Sequence, residues 1–96
     1  MLIPLEFHGV HLAPLGAIHK QIEWDLPTSR TARVRVRRHT CCCGNVQFEL
    51  CEAGGLMFIR RLESSHDGGV VVHETERVRT AQAVHLWDLL LRGQAG

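Results

Sequence analysis

The residues of this chain best suited to chemistry are its cysteines and the histidine beside them. Three thiols are contiguous in Cys41-Cys42-Cys43, and Gly44 follows them. This Cys-x-Cys-Gly stretch is similar to half of a zinc knuckle, in which backbone N–H groups point at sulfur. Structural zinc usually takes two such halves, each with Cys-x2-Cys spacing, and the second half is missing here. The candidate zinc ligands are His39, Cys41, Cys43 and Cys51, with His66 and His73 as further histidines.

Free thiols are the preferred interpretation of the same cysteines. Four Cys in 96 residues lie below the ~8–10% that is typical of disulfide scaffolds. No Cys-x-x-Cys motif opens a helix, which is the arrangement that lowers a thiol pKa in redox enzymes. We therefore predict no cofactor, and a small zinc-binding or thiol protein stays the alternative.

A serine, a histidine and an aspartate occur together in Ser64-Ser65-His66-Asp67. Neighbours in sequence do not converge on one point, however, and working hydrolase triads are assembled from separate segments. Because Gly68-Gly69 follows, the stretch is typical of a hairpin loop. The sequence contains no Gly-rich phosphate loop and no His-x3-His motif. We therefore expect the protein not to be an enzyme.

Arginine is the second residue type with a chemically suggestive pattern. Ten of the eleven basic residues are Arg, and five of these fall within residues 30–48, a block that contains no acid. Alternate residues of a strand stand about 6.6 Å apart on one face, and planar guanidinium groups bind carboxylate or phosphate as a fork. Arg61 either joins this face or lies across the sheet, depending on register. The predicted partner-binding residues are Arg33, Arg35, Arg37 and Arg61.

Charge alone does not choose the partner. A net charge of +1 excludes a globally basic nucleic-acid binder but not a local basic face. An Arg-bearing sheet backed by a helix can enter a DNA major groove, whereas Arg, Trp and Phe also favour protein–protein contacts. We expect a small non-enzymatic binding module that engages a protein or a nucleic acid through its Arg-lined sheet face, with homo-oligomerisation left open.

Alternating apolar and polar residues predict the strands that position these arginines. The first runs through Ala32, Val34 and Val36, and the second through Val46, Phe48 and Leu50. A nearly continuous apolar run at 56–62 predicts a third strand, and Val70-Val71-Val72 begins a predicted fourth strand that turns polar at His73 and ends near Val78. Short, glycine-containing connections separate all four, and only antiparallel neighbours can be joined by so few residues.

The end of the chain is predicted to be helical from residue 81 to residue 92, with Thr80 as the cap and Gly93 as the stop. Its polar stripe is Gln82, His85, Asp88 and Arg92, and the residues opposite are Val84, Trp87, Leu90 and Leu91. The predicted fold class is α+β, an antiparallel β-meander of three to four strands with a C-terminal helix packed on one face.

The loop between the first two strands sets their register. A two-residue Gly44-Asn45 turn would place the valines of the first strand on the polar face of the second. A three-residue loop at 43–45 avoids this, because it places Thr40 opposite Phe48 and points Cys42 into the core. A β-bulge near Arg37-Arg38 is the other solution.

The three-residue loop also separates the cysteines. It places Cys51 opposite Arg37, roughly 13 Å along the strand from the partner of Cys41. That distance is too long for one tetrahedral zinc site, so a four-Cys site would require a different hairpin.

Length and composition predict one domain, at residues 31–96, preceded by an N-terminal extension at residues 1–30. Alternation of Ile3, Leu5 and Phe7 predicts a short strand in the extension. The spacing of Leu15, Ile18 and Ile22 predicts a helix that starts near Pro14 and stops before Pro27.

The chain start lacks the basic and apolar regions of a signal peptide, and no apolar run approaches the ~20 residues of a membrane-spanning helix. We therefore expect a cytoplasmic protein without a membrane partner.

Two stretches carry a resemblance to known sequences. Leu50-Cys51-x-x-Gly54-Gly55-x-x-Phe58-Ile59-Arg60-Arg61, followed by Leu86-Trp87-x-x-Leu90-Leu91-x-Gly93, resembles short actinobacterial (Streptomyces-type) proteins of unassigned function. The resemblance covers roughly the C-terminal half of the chain and agrees with the excess of Arg over Lys. It implies no activity and assigns no residue a role.

Overall fold

A computed structural model describes residues 11–27, 33–41 and 44–96 of the chain. The strand predicted at Ile3 to Phe7 lies outside these residues, as do Cys42 and Cys43. No helix of the described residues is long and apolar enough to cross a membrane.

Four antiparallel strands form one sheet in the order β1-β2-β3-β4. The strands are β1 (Val34–His39), β2 (Val46–Ala53), β3 (Leu56–Ser64) and β4 (Val70–Glu74), and one helix follows, α1 (Thr80–Leu91). The tight turn between β2 and β3 uses Gly54 and Gly55, which both adopt positive φ (59° and 81°), the backbone conformation that favours glycine. The predicted α+β fold class is confirmed.

A β-bulge at Arg37 controls the register of β1 against β2. On one side of it His39 pairs with Glu49, and the Thr40 N–H donates to the Phe48 carbonyl at 2.9 Å, as the sequence predicts. On the other side Val36 pairs with Cys51, because one residue of β1 is left without a counterpart. The prediction that Arg37 opposes Cys51 is therefore wrong, and the bulge near Arg37-Arg38 is present.

Both faces of the sheet have buried apolar residues, and the bulge decides which face the valines of β1 take. One face packs against α1 through Phe48, Leu50 and Ile59, which meet Trp87 and Leu90. The other face has a smaller cluster of buried residues, Cys51, Ala53 and Phe58, against which Val34 packs. The prediction that Val34 and Val36 join the helix-side core is thus wrong, because alternation restarts in the opposite phase after the extra residue.

Helix α1 has the predicted polar stripe but not the predicted cap. Arg79 occupies the N-cap position without a side-chain hydrogen bond, and Thr80 is the first helical residue. Val84, predicted on the apolar side, is exposed, whereas Ala83, Trp87 and Leu90 are buried. Gly93 ends the helix with φ 74°, and a Cβ there would approach the Pro14 carbonyl oxygen within 2.1 Å. Glycine is therefore required where the chain at Gly93 passes the backbone of Pro14.

Residues 11–27 contain no helix, so the helix predicted after Pro14 is wrong. Their N–H groups bond to the end of the chain instead, from Gly16 to the Gly93 carbonyl at 2.9 Å and from Ile22 to that of Gly96 at 2.8 Å. Asp25 pairs with Glu74 at the outer side of β4. Ile22 belongs to the helix-side core, so these long-range contacts outweigh the helical spacing.

Candidate functional site

The arginines of the β1 region surround one open depression. Three of them, Arg33, Arg35 and Arg37, line a hollow of about 210 Å³ whose other borders are Glu52 and the turn at residues 53–55. All three arginines are exposed. Arg33 and Arg35 share a face by strand alternation, and the bulge gives Arg37 access to the same hollow. The structure thus brings together three of the four predicted partner-binding residues.

Glu52 is the acid that borders this depression. Its Oε1 atom accepts from Arg37 Nη2 at 2.6 Å and from Arg37 Nε at 2.7 Å. The Arg37 and Glu52 side chains are 51% and 34% exposed, so the pair adds little to stability but orients the guanidinium. Neither Arg33 nor Arg35 has an ion-pair partner among the described residues. The depression therefore keeps a net positive charge of about two.

Arg61 lies apart from this group. It is on β3, pairs in register with Phe48 on β2 and with His73 on β4, and donates to Glu63 at 2.9 Å. Arg35, in contrast, pairs with Glu52 near the other end of β2. Four residues of strand, roughly 13 Å, separate Phe48 from Glu52. Arg61 therefore shares the sheet face of Arg35, since Phe48 and Glu52 lie on one face of β2, but it lies outside the arginine depression.

A second charged group, which sequence reasoning missed, lies on the sheet face opposite α1. Arg60 Nη1 contacts Glu49 Oε1 at 3.2 Å, and Arg60 Nε contacts Glu74 Oε2 at 3.4 Å. The Arg77 guanidinium lies 4.2 Å from the centre of the Phe58 ring and 3.8 Å from Glu74. These charged side chains are largely buried, between 8% and 24% exposed. They connect β2, β3 and β4 on this face of the sheet.

The Cys51 thiol lies beneath this charged group and is fully buried. Burial raises its pKa from 9.0 to about 11, because the thiolate would lose its hydration; Arg60 opposes the rise, and Glu49 and Glu74 add to it. The thiol points its hydrogen toward the Glu49 carbonyl, with an S–O distance of 3.9 Å. At neutral pH this cysteine is therefore protonated, and it is suited to neither nucleophilic attack nor metal binding.

The predicted zinc ligands are only partly within the described chain. His39 lies opposite Glu49 with its Nδ1 atom 3.1 Å from the Thr40 carbonyl oxygen, and Cys41 is buried. Among the described residues no three metal-ligating side chains form a group that could hold an ion. Cys43 lies outside those residues, so the complete set stays a prediction.

The Ser-His-Asp stretch forms the loop between β3 and β4, as predicted. The Ser65 hydroxyl donates to the Asp67 carboxylate, and so does the Gly69 N–H at 3.1 Å. These two hydrogen bonds, the Ser65 bond first, hold the pKa of Asp67 below its usual value. His66 is exposed. The aspartate therefore stabilises a turn.

A groove of about 710 Å³ lies beside α1. Apolar side chains such as Ile22, Val78 and Leu86 line it together with charged groups of both signs, Lys20 and Glu23 among them. The arginine depression is smaller, but its net charge is positive.

The chain matches no protein-family model, no curated protein and no solved structure. The resemblance to short actinobacterial proteins therefore stays a prediction. The support for the candidate site is the geometry of the arginine depression.

Proposed function

We propose that the protein is a small non-enzymatic binding module that engages a macromolecular partner through the arginine depression of β1. The observation that carries this proposal is the convergence of Arg33, Arg35 and Arg37 on one open hollow with a single acid at its border. Guanidinium groups in this arrangement present several planar hydrogen-bond donors to one anion. The contacted group of the partner is therefore a phosphate or a carboxylate.

The backbone of β1 favours contact through side chains over the addition of a strand. The bulge at Arg37 interrupts the regular ladder, and bulges and charged side chains are the features that block strand addition at sheet edges. An extended acidic peptide would need that regular ladder, whereas a nucleic-acid backbone needs only accessible cations. We therefore favour a nucleic acid, bound through its phosphates, over a protein.

Fluorescence anisotropy of a labelled DNA duplex and of a labelled single strand tests this proposal. If two or three duplex phosphates are neutralised, affinity should fall roughly 10- to 40-fold between about 50 and 200 mM salt. The combined change Arg33→Ser and Arg35→Ser should weaken binding at low salt and flatten this salt dependence, since the cations that release counterions are removed.

Arg92→Ser is the matched control, because Arg92 is also exposed but caps the C-terminal end of α1 and pairs with Asp88 at 2.9 Å. It should leave DNA binding nearly unchanged. Binding that is absent at low salt, or equal in the Arg33/Arg35 variant and in the control, would reject the nucleic-acid proposal. Capture of a carboxylate-rich protein by the wild type but not by the double variant would assign the depression to a protein partner instead.

A further inference from the structure

The outer edge of β4 from Val70 to Val72 is the second exposed edge of the sheet, and we call it the β4 edge. Val70 and Val71 are 58% and 44% exposed. No residue of this stretch is charged, and the pairing of β4 with β3 has no bulge. The features that block strand addition at β1 are therefore absent at β4.

The backbone of the β4 edge has unfilled hydrogen-bonding positions. Asp25 and Glu74 exchange both of their backbone hydrogen bonds, at 2.7 Å each, so the N–H and carbonyl of Glu74 point outward. Because these directions alternate along an antiparallel strand, the same groups of Val72 and Val70 also point outward. Among the described residues neither valine has a backbone partner on that side.

In the described part of the chain, backbone pairing on the outer side of β4 is confined to Asp25, and Pro27 follows two residues later. Proline has no N–H to donate, and the described backbone bonds to the outer side of β4 end at Asp25. Arg33 already lies at the opposite edge of the sheet, three strand spacings or roughly 14 Å away. Within residues 11–27, 33–41 and 44–96, no strand therefore pairs with the outer side of Val70 to Val72.

We propose that two copies of this chain pair through their β4 edges, antiparallel, about a two-fold axis at Val71. In this register Val70 of each copy faces Val72 of the other, and the two pairs supply four backbone hydrogen bonds. Val71 meets its own counterpart on the axis as a non-hydrogen-bonded pair. The result is an eight-stranded sheet with both helices on the same face.

A second copy fits this edge because the edge is complementary to itself. Three consecutive valines contain no charge that would meet its own image across the axis, whereas β1 paired in the same way would bring arginines together. The contact is isologous, so it closes at two copies. The two outer edges of the dimer are both β1, where the bulge and the arginines prevent further growth.

Sedimentation equilibrium over a concentration series tests the proposal. Wild type should form a dimer, and Val71→Lys should raise its dissociation constant at least about tenfold, because two ammonium groups would lie opposite each other at the axis. Val36→Lys is the matched control, since Val36 is 46% exposed on the other edge strand. It should dimerise like wild type.

A charge-exchange experiment separates pairing from misfolding. Val71→Lys and Val71→Glu should each be mainly monomeric alone and should form a mixed dimer when combined, because the two new charges then attract. Amide hydrogen exchange at Val70 and Val72 should be slow in wild type and fast in Val71→Lys. A wild type that is monomeric at about 1 mM, or a Val71→Lys variant that dimerises like wild type, would overturn the proposal.

Discussion

The two edges of the sheet differ in how they present their backbone hydrogen-bonding groups. Every edge strand exposes backbone N–H and carbonyl groups that can pair with another chain. The β1 edge interrupts its ladder with a bulge at Arg37 and surrounds it with arginine side chains. The β4 edge keeps a regular ladder and exposes Val70 and Val71. The difference agrees with our two proposals, that β1 binds its partner through side-chain charge and that β4 pairs through its backbone.

Both edges belong to one sheet, and Arg60 connects three of its four strands. From the central strand β3 it reaches Glu49 on β2 and Glu74 on β4. Arg60→Met should lower the free energy of unfolding by about 3 kcal/mol, because two poorly hydrated carboxylates lose their main cation. This is the largest effect that we expect, and urea unfolding measures it.

The neighbouring residue supplies the control for Arg60. Arg61 is on the same strand but pairs with Glu63, whose side chain is 41% exposed, so Arg61→Met should cost about 1 kcal/mol or less. Equal losses in the two variants would show that the Arg60 ion pairs stabilise the sheet no more than the exposed Arg61 pair does.

The second effect concerns the thiol of Cys51, a β2 residue that lies opposite Val36 of β1 in the sheet. Its pKa is about 11 in the fold against 9.0 for an ordinary cysteine. An acid whose folded pKa is raised stabilises the fold at pH values below its unfolded pKa, and this contribution is lost as the pH rises from 9 toward 11. Within that window the free energy of unfolding should fall by roughly 1.4 kcal/mol per pH unit.

Cys51→Ala should remove this part of the alkaline loss, and thermal unfolding at a series of pH values measures it. The comparison is made on the slope between pH 9 and 11, since the alanine variant starts from a lower stability. An unchanged slope would mean that the β1 edge opens and hydrates the thiol before the chain unfolds.

The main strands, the turns and the C-terminal helix could be predicted because their signals are local. Alternation marks β1 and β2, and Gly54-Gly55 marks the turn into β3. The face that each valine of β1 takes could not be predicted, because a bulge adds one residue at the small cost of a local distortion. The alternation of apolar and polar residues in the sequence is the same with or without a bulge. The predicted grouping of Arg33, Arg35 and Arg37 was unaffected by this error, because Arg37 is the bulged residue itself.

Long-range contacts account for the remaining errors. The spacing of Leu15, Ile18 and Ile22 fits a helix, but the N–H of Ile22 bonds to the carbonyl of Gly96. No local sequence pattern predicts a hydrogen-bond partner so distant in the sequence. The burial of Glu49 and Arg60 was missed for the same reason, because each looks like an exposed residue until Glu74 and Arg77 are placed over the same face. Polar residues of a strand are therefore weak evidence for a solvated face.

We expect the smallest effect on stability from deletion of Arg37, the bulged residue that distinguishes β1 from β4. Deletion of Arg37 removes the bulge and leaves the pairs Val36–Cys51 and Arg38–Leu50 in one regular ladder. No core residue changes face, so the free energy of unfolding should shift by less than about 1 kcal/mol. Binding of DNA should weaken, because one of the three guanidinium groups is lost from the depression.

The same deletion tests whether the bulge or the charge protects β1. If arginine charge is sufficient, the variant should keep the wild-type oligomeric state by sedimentation equilibrium. If the bulge is the protecting feature, β1 becomes a second regular edge, and a contact at each end of the dimer no longer closes at two copies. We expect charge to suffice at low salt and larger assemblies to appear as salt screens the remaining arginines. A dimer at every salt concentration would contradict this expectation, since screening would then have no consequence for the edge.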